Sequence, residues 1–430
     1  MNKGRLKQSR RTFLKKNLLG TVFITAYGSL FPLSGLFTRE KQAKDFGSDL
    51  LNESDRDFLL PNDKVYLNTS SLGPSLRTVV EGVCENWNQL EVNGYDGKQL
   101  TKKAKSRIAA FFKTPPENIA LTRNTTEGIN IAAQSIPFSK GDEVILSTHE
   151  HVGCAAIWLM LEKEKGIVVK LLELDLTGES NLDRLRNLIT PKTKAVVLSH
   201  VCCTTGMILP IKEITSHCRK NQIFSVIDGA QAAGMLPIDL SDIQADFYAC
   251  AAHKWAFGPK GIGMLYINPF IMNQLQTVFV GANSDAAFNL KQKKLVLRGV
   301  ADQYTYGTRN VSLLKGWQIA IDWNDDLGIE TVAKRTNELK QTFLDSIQAE
   351  YFELLSPSNE WATSILTFRI KGKGSQRIVN QLRSQFKIYT RYIYENNLDA
   401  IRVSFAIFNT TAQVKLLKNA LEELMQEEED

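Results

Sequence analysis

From residue 118 to residue 228 the chain alternates short, uniformly apolar runs with amphipathic stretches, and few architectures accept that rhythm. The apolar runs fall at 118–122, 143–147, 168–172, 195–199 and 224–228, and helical patterns fill the gaps: from Thr125, up to Lys165, near 182–189 and over 211–220. Short strands that are apolar on both faces, separated by helices of modest length, read as βαβ units in a mainly parallel sheet covered on both sides. This predicts an α/β class. Ligands on such sheets gather outside the carboxyl ends of the strands, so the polar residues that follow each run are the ones to examine.

The flanking regions extend this reading. Residues 1–44 hold ten Lys or Arg against one acid, so the +6 formal charge of the 430-residue chain leaves the remainder net acidic and removes the main support for nucleic-acid binding. That basic start runs into an apolar segment from Leu18 to about Phe37, the layout of an export signal. Within it Ser9-Arg10-Arg11-Thr12-Phe13-Leu14-Lys15 resembles the twin-arginine signal, which predicts a partner in the twin-arginine export machinery, a folded passenger and a periplasmic destination. Ala26-Tyr27-Gly28 is the candidate cleavage site, and an uncleaved signal would leave a membrane anchor. After a linker, a short helix is expected at 53–60 and an N-terminal arm over 45–75. Two amphipathic helices near 76–90 and 98–112 open a large unit, 76–311. From about 312 a long helical pattern broken at Leu327-Gly328, strand candidates at 363–370, 388–394 and 401–405, and a closing helix at 410–427 predict a smaller α+β domain, 312–430. Six scattered cysteines and five histidines show no metal-ligand spacing, so no metal site is expected.

Four polar features stand at the predicted strand ends. Asn124-Thr125-Thr126-Glu127-Gly128 opens a helix, where free N–H groups and threonine hydroxyls make a phosphate cradle or, more plainly, an N-cap. Glu150-His151 follows the second run and offers an imidazole able to stack on an aromatic ring, unless it is a surface histidine. Asp228 ends a wholly apolar strand with Gln231 just beyond it; burying that carboxylate is unfavourable unless it meets a cation, such as a protonated pyridine nitrogen, and the alternative is a capping aspartate. Finally, a small-residue strand from Phe247 delivers His253-Lys254 into the loop Trp255-Ala-Phe-Gly258-Pro-Lys-Gly261. A lysine there either snorkels to water or is a desolvated Schiff-base nucleophile. Each feature alone is weak. Together they describe a pyridoxal 5′-phosphate (PLP) site.

On these motifs the chain, over about residues 64–425, resembles the class V aminotransferase family of PLP fold type I, in its isopenicillin N epimerase-like and cysteine desulfurase-like branches. The resemblance implies a seven-stranded-type, mainly parallel sheet with a smaller C-terminal domain. It implies Lys254 as the Schiff-base lysine, Asp228 at the ring nitrogen, Gln231 at the phenolate oxygen, His151 stacked on the ring, and Thr125, Thr126 and His253 at the phosphate. Tyr306-Gly307-Thr308-Arg309 matches a loop whose threonine, Thr308, reaches the phosphate of a partner subunit, which implies a homodimer. Arg402 matches the arginine that binds the substrate carboxylate, with Arg391 competing for the role. Two departures matter. No cysteine lies between Ile388 and Ile401, where desulfurases carry their persulfide-forming thiol, and Cys203 stands where many relatives have asparagine. The expectation is an exported enzyme acting at the α-carbon of an amino acid or peptide-like amine, by epimerisation or transamination. A cysteine desulfurase or lyase is the alternative within the family, and a catalytically idle PLP-fold binding protein the alternative outside it.

Overall fold

The computed structural model of the chain describes residues 57–94 and 97–426, all within one compact unit, Ser48–Asp430. The expected export signal, the linker and the acidic tail from Glu427 lie outside the described residues. So does the first half of the helix expected at 53–60; within its described half Phe58 makes an extended bridge to Leu76.

Seven strands form the principal sheet: β1 (Ile119–Thr122), β2 (Glu143–Ser147), β3 (Val168–Leu172), β4 (Thr193–Ser199), β5 (Phe224–Asp228), β6 (Phe247–Ala251) and β7 (Gly263–Ile267). Their order is β1-β7-β6-β5-β4-β2-β3. Strands β2 to β6 pair in parallel, whereas β7 runs antiparallel to both β6 and β1. The period-2 geometry of a strand splits β6 between two cores: Phe247 and Ala249 enter one apolar cluster, Tyr248 and Cys250 the other. Strand β7 is not among the runs read from the sequence. Its five residues return the chain from a Gly- and Pro-rich loop, whose turn signals hide so short a run. Likewise unexpected is the hairpin of Asp285–Asn289 with Lys294–Leu297. It carries no alternating apolar pattern because most of its side chains are exposed.

The helix Thr125–Ser135 lies close on this sheet. A Cβ on Gly128 would stand 2.9 Å from the Ala249 Cβ, so glycine there allows the helix start to sit beside the strand ends.

A second sheet, antiparallel, joins Phe352–Leu354, Ile365–Ile370, Ala400–Ser404 and Arg391–Ile393 in that order. The helices Ser375–Phe386 and Thr411–Gln426 bury its apolar residues. The expected long helix is two, Val311–Leu327 and Ile329–Ser346, separated at Gly328, whose φ of +81° breaks the helical path. The segment 65–73 ties the two sheets together. Val65–Tyr66 pairs in parallel with Ile388–Tyr389, Asn68 bridges Ser404, and the Gly73 N–H donates to the His253 carbonyl at 2.8 Å. A Cβ on Gly73 would lie 2.0 Å from the Lys254 carbonyl oxygen, so only glycine permits this approach.

Beneath the carboxyl ends of the parallel strands lies a buried polar layer. The Ser147 and Ser199 hydroxyls each donate to Glu150 at 2.6 Å, and the Ser199 N–H donates at 3.1 Å. His200 Nδ1 pairs with the Tyr248 hydroxyl at 2.9 Å, and the His200 N–H donates to the Asp228 carbonyl at 2.8 Å. Burial moves these two groups oppositely: it pulls His200 down to about 4 and pushes Glu150 up to about 7. Between its ordinary 6.5 and about 4, His200 takes a proton in the unfolded chain but not in the folded one, so its stabilisation is complete above pH 6.5 and lost as the pH falls. Glu150 keeps a proton in the folded state between its ordinary 4.5 and about 7, and its contribution is lost as the pH rises through that window. The His200→Gln variant should therefore show a flatter loss of stability between pH 6.5 and 4, by on the order of 3 kcal/mol, in urea unfolding at a series of pH values. An unchanged slope would remove His200 as its source.

Candidate active site

The strand ends surround a cavity of about 290 Å3 that the small sheet and the segment 65–73 help to enclose. Thr125, Thr126, His151, Asp228, Gln231, His253, Lys254 and Arg402 all line it, together with Arg391, Cys203, Ser199, Ser70 and Ser71. Thr308 is exposed and lies outside this cavity.

The cradle is built by reciprocal capping. The Asn124 side chain accepts from the Glu127 N–H at 2.9 Å, and the Glu127 carboxylate reaches back to the Arg123 N–H at 2.5 Å. This fixes the first turn while the Thr125 hydroxyl stays buried and unpartnered among the described residues. Gly153 keeps the adjoining space open, because a Cβ there would fall 2.6 Å from the Thr126 hydroxyl. The His253 Nδ1 atom is likewise buried without a partner among the described residues. A helix start, two threonines and an unsatisfied imidazole nitrogen are what a phosphate group would satisfy.

His151 accepts from the Gly153 N–H through Nδ1 at 3.0 Å, so it caps the helix Val152–Lys165 and holds its single ring proton on Nε2. Burial, reinforced by Lys254 and Arg391, lowers it to about 4. It is a neutral imidazole at pH 7, fit for ring stacking.

Asp228 is buried, accepts one bond from the Ala230 N–H at 2.8 Å, and makes no ion pair among the described residues. Desolvation raises its pKa, with the Lys254 charge pulling in the opposite direction. Lys254 has the complementary perturbation: desolvation lowers its pKa and Asp228 opposes the change. Each charge is left wanting a partner, which favours an amine that is free to react and a carboxylate ready for a ring cation. Gln231 is more constrained than the sequence implies. Its Oε1 accepts from the Trp255 indole at 2.8 Å and its Nε2 donates to the Ser70 carbonyl at 2.9 Å, leaving a single N–H for a ligand.

The structure separates the two arginines. Arg402 is fully buried in the middle of a strand; it donates to the Cys203 carbonyl at 2.6 Å and to the Ser71 hydroxyl at 2.7 Å, and meets no carboxylate among the described residues. Desolvation, with Arg391 nearby, drops it to about 9. Arg391, opposite it across the strand pair, is ion-paired to Glu395. Sequence reasoning missed Ser70, Ser71, Trp255 and Glu395. The one available signal was the polar run Asn68-Thr-Ser-Ser71 in an arm with no other reason to be buried.

The residues present thus fit PLP part by part: cradle for phosphate, imidazole for the ring face, buried acid for the ring nitrogen, and desolvated lysine for the aldehyde carbon.

Comparison with known proteins agrees. A family model described as aminotransferase class V matches residues 86–417. The chain is 27% identical over 395 residues to a probable cysteine desulfurase of Methanothermobacter thermautotrophicus, with 86% of this chain and 96% of that protein covered. It is 26% identical over 378 residues to the isopenicillin N epimerase of Amycolatopsis lactamdurans, covering 83% and 94%. Among solved structures, a mutant of C-DES with glycine covalently linked to its PLP cofactor aligns at a TM-score of 0.77 and 25% identity, over 84% of this chain and 97% of that one. Nearly the whole of each relative is spanned, so the likeness extends to both sheets, and the architecture is that of PLP fold type I. With the family model covering most of the chain and its motif residues converging on one cavity, the protein belongs to the aminotransferase class V family.

Proposed function

We propose that the protein is an exported PLP enzyme acting at the α-carbon of an amino acid or peptide-like amine, of the epimerase or transaminase type. The observation that carries this reading is Arg402: a buried guanidinium without an acidic partner among the described residues, in the same cavity as Lys254 and Asp228. A planar guanidinium held by Ser71 and the Cys203 carbonyl is shaped for an α-carboxylate, and that anion would remove the penalty of an unpaired buried charge.

When bound, PLP supplies a sink for the electrons released at the substrate α-carbon. The chain's residues do the rest. Thr125, Thr126 and His253 would hold the phosphate, Asp228 the protonated ring nitrogen, His151 one ring face, and the remaining N–H of Gln231 the phenolate oxygen. Lys254 would hold the cofactor. Its Nζ, when free, would take the proton from the substrate α-carbon, a role suited to an amine whose pKa desolvation has lowered. Arg402 would hold the substrate carboxylate in the cavity that Lys254 also lines, and so would restrict the orientation of the α-carbon.

A second reading, a cysteine desulfurase or C–S lyase, draws on the relatives named probable cysteine desulfurase. Against its desulfurase form, no cysteine occurs in the segment 388–401, and the thiol in the cavity wall, Cys203, has its pKa raised by burial, which keeps it protonated and a poor nucleophile. Thr308 in a partner's phosphate site, and hence a homodimer, belong to the same proposal, as does export through the signal at Arg10-Arg11.

Purified protein should be coloured, with a visible absorbance band that disappears in Lys254→Ala; a colourless wild type overturns the PLP reading. Arg402→Lys should keep the colour but weaken binding of α-amino acids by roughly thirtyfold or more, the effect of about 2 kcal/mol or above expected when one partner of a buried charge pair loses its bidentate geometry. Equal binding of amino acids and their decarboxylated amines by the wild type would contradict the assignment of Arg402. Fast sulfide release from cysteine would select the second reading. Replacing Arg10-Arg11 with Lys-Lys should retain the protein in the cytoplasm on fractionation; unchanged export would exclude the twin-arginine route.

A further inference from the structure

The loop that follows β4 hangs on the small sheet by its backbone. Four consecutive carbonyls each accept a hydrogen bond from a side chain of that sheet or its flanks: Cys203 from Arg402 Nη1 at 2.6 Å, Thr204 from the Thr367 hydroxyl at 2.6 Å, Thr205 from the Ser356 hydroxyl at 2.6 Å, and Gly206 from the Thr363 hydroxyl at 2.7 Å. Thr204 is held by its side chain as well, its hydroxyl pairing with His149 Nδ1 at 2.8 Å. Thr367 is fully buried and stands directly across from Arg402 in the antiparallel pair of Ile365–Ile370 with Ala400–Ser404. Residues so opposed project from one face, so Thr367 and Arg402 donate side by side to adjoining carbonyls. The guanidinium is thereby fixed at both ends: by the Cys203 carbonyl on Nη1, and by Ser71 at 2.7 Å and Asn68 at 3.3 Å on Nη2. Its Nε is buried without a partner among the described residues, so no third bond sets its plane.

We propose that Thr367 is a positioning residue for the substrate carboxylate: by holding the Thr204 carbonyl it keeps the adjoining Cys203 carbonyl on Arg402, and so fixes the plane in which the guanidinium meets its ligand. The inference rests on the reading of Arg402 as the carboxylate site. All four bonds satisfy acceptors of a buried loop, and for Ser356 and Thr363 that is the whole of their effect. Thr367 differs by its place. The Cys203 carbonyl belongs to the peptide that enters Thr204, so a loop released at Thr204 can turn that carbonyl away from Nη1. The guanidinium then pivots about Nη2, and two-point contact with a planar carboxylate is lost with its plane. Arg402 and Cys203 line the cavity and Thr367 does not, so Thr367 acts on the ligand only through the loop.

Two ligands of one skeleton test this: α-aminoisobutyrate, which has no α-hydrogen to lose, and isopropylamine, which lacks its carboxylate. Alanine against ethylamine repeats the comparison. Dissociation constants are measured on the holoenzyme by calorimetry and by the change in visible spectrum. The wild type should favour the ligand that carries the carboxylate. Thr367→Val, which removes the donor and keeps the branched shape, should bind α-aminoisobutyrate about tenfold more weakly, the effect of one hydrogen bond to a charged group, with isopropylamine binding and the visible band unchanged. Thr367→Ser should restore the affinity. Thr367→Cys, which keeps a weaker donor, should fall between the two and carries the test if Thr367→Val does not fold. Thr363→Val removes the same kind of bond at the far end of the loop and should leave α-aminoisobutyrate binding as in the wild type. Wild-type affinity in Thr367→Val, an equal weakening of both ligands, or an equal loss in Thr363→Val overturns the proposal, the last by reducing Thr367 to one bond of a structural latch. A wild type that does not favour the carboxylate removes the reading of Arg402 itself, and a colourless one removes the PLP reading beneath it.

Discussion

The structure depends on two opposite charges, Asp228 and Lys254, held in a low-dielectric space without direct neutralisation. Each perturbs the other: desolvation pushes both towards their neutral forms, and their mutual attraction pulls them back. Such an arrangement is unfavourable for an empty protein and favourable for one that holds a ligand with a cationic ring and an electrophilic carbon. Much of the surrounding architecture serves to keep those two residues at one level. Parallel pairing of Phe224–Asp228 with Phe247–Ala251 brings both chain segments out at the same edge of the sheet. The antiparallel return through Gly263–Ile267 then closes the Lys254 loop, with the Ala252 N–H donating to the Ile262 carbonyl at 3.1 Å.

A second constraint acts from outside the sheet. The segment 65–73 crosses from the small sheet to the Lys254 loop, and its serines do several things at once. The Ser70 carbonyl orients Gln231, the Ser71 hydroxyl holds Arg402, and Gly73 docks on the backbone of residues 253 and 254. The Gln231 side and the Arg402 side of the cavity therefore share a support. A shift of this strap would move Gln231 and Arg402 together.

Much of the fold was legible because its signal is local. A strand buried on both faces is apolar throughout wherever it occurs, and six of the seven strands of the main sheet begin where the apolar runs begin, to within two residues. The seventh, Gly263–Ile267, escaped because a five-residue run bounded by glycines reads as part of a loop. The hairpin 285–297 escaped for the opposite reason: it buries too little for any periodicity to be selected.

What the sequence determined by itself was the class of the fold and the identity of the residues at the strand ends, because parallel βαβ units send every strand end to one edge and so make order along the chain a guide to position in space. Thr125, Thr126, His151, Asp228, Gln231, His253 and Lys254 meet for that reason. What only the tertiary structure decided was how those residues are occupied and what meets them from afar. Gln231 is already tied to Trp255 and Ser70, Arg391 is committed to Glu395 while Arg402 is not, and Ser71 comes to Arg402 across 331 residues of chain. Periodicity reports which face of an element is buried; it carries no record of which distant side chain will lie against it, since that contact is fixed by the packing of two sheets and a strap rather than by any neighbour in sequence.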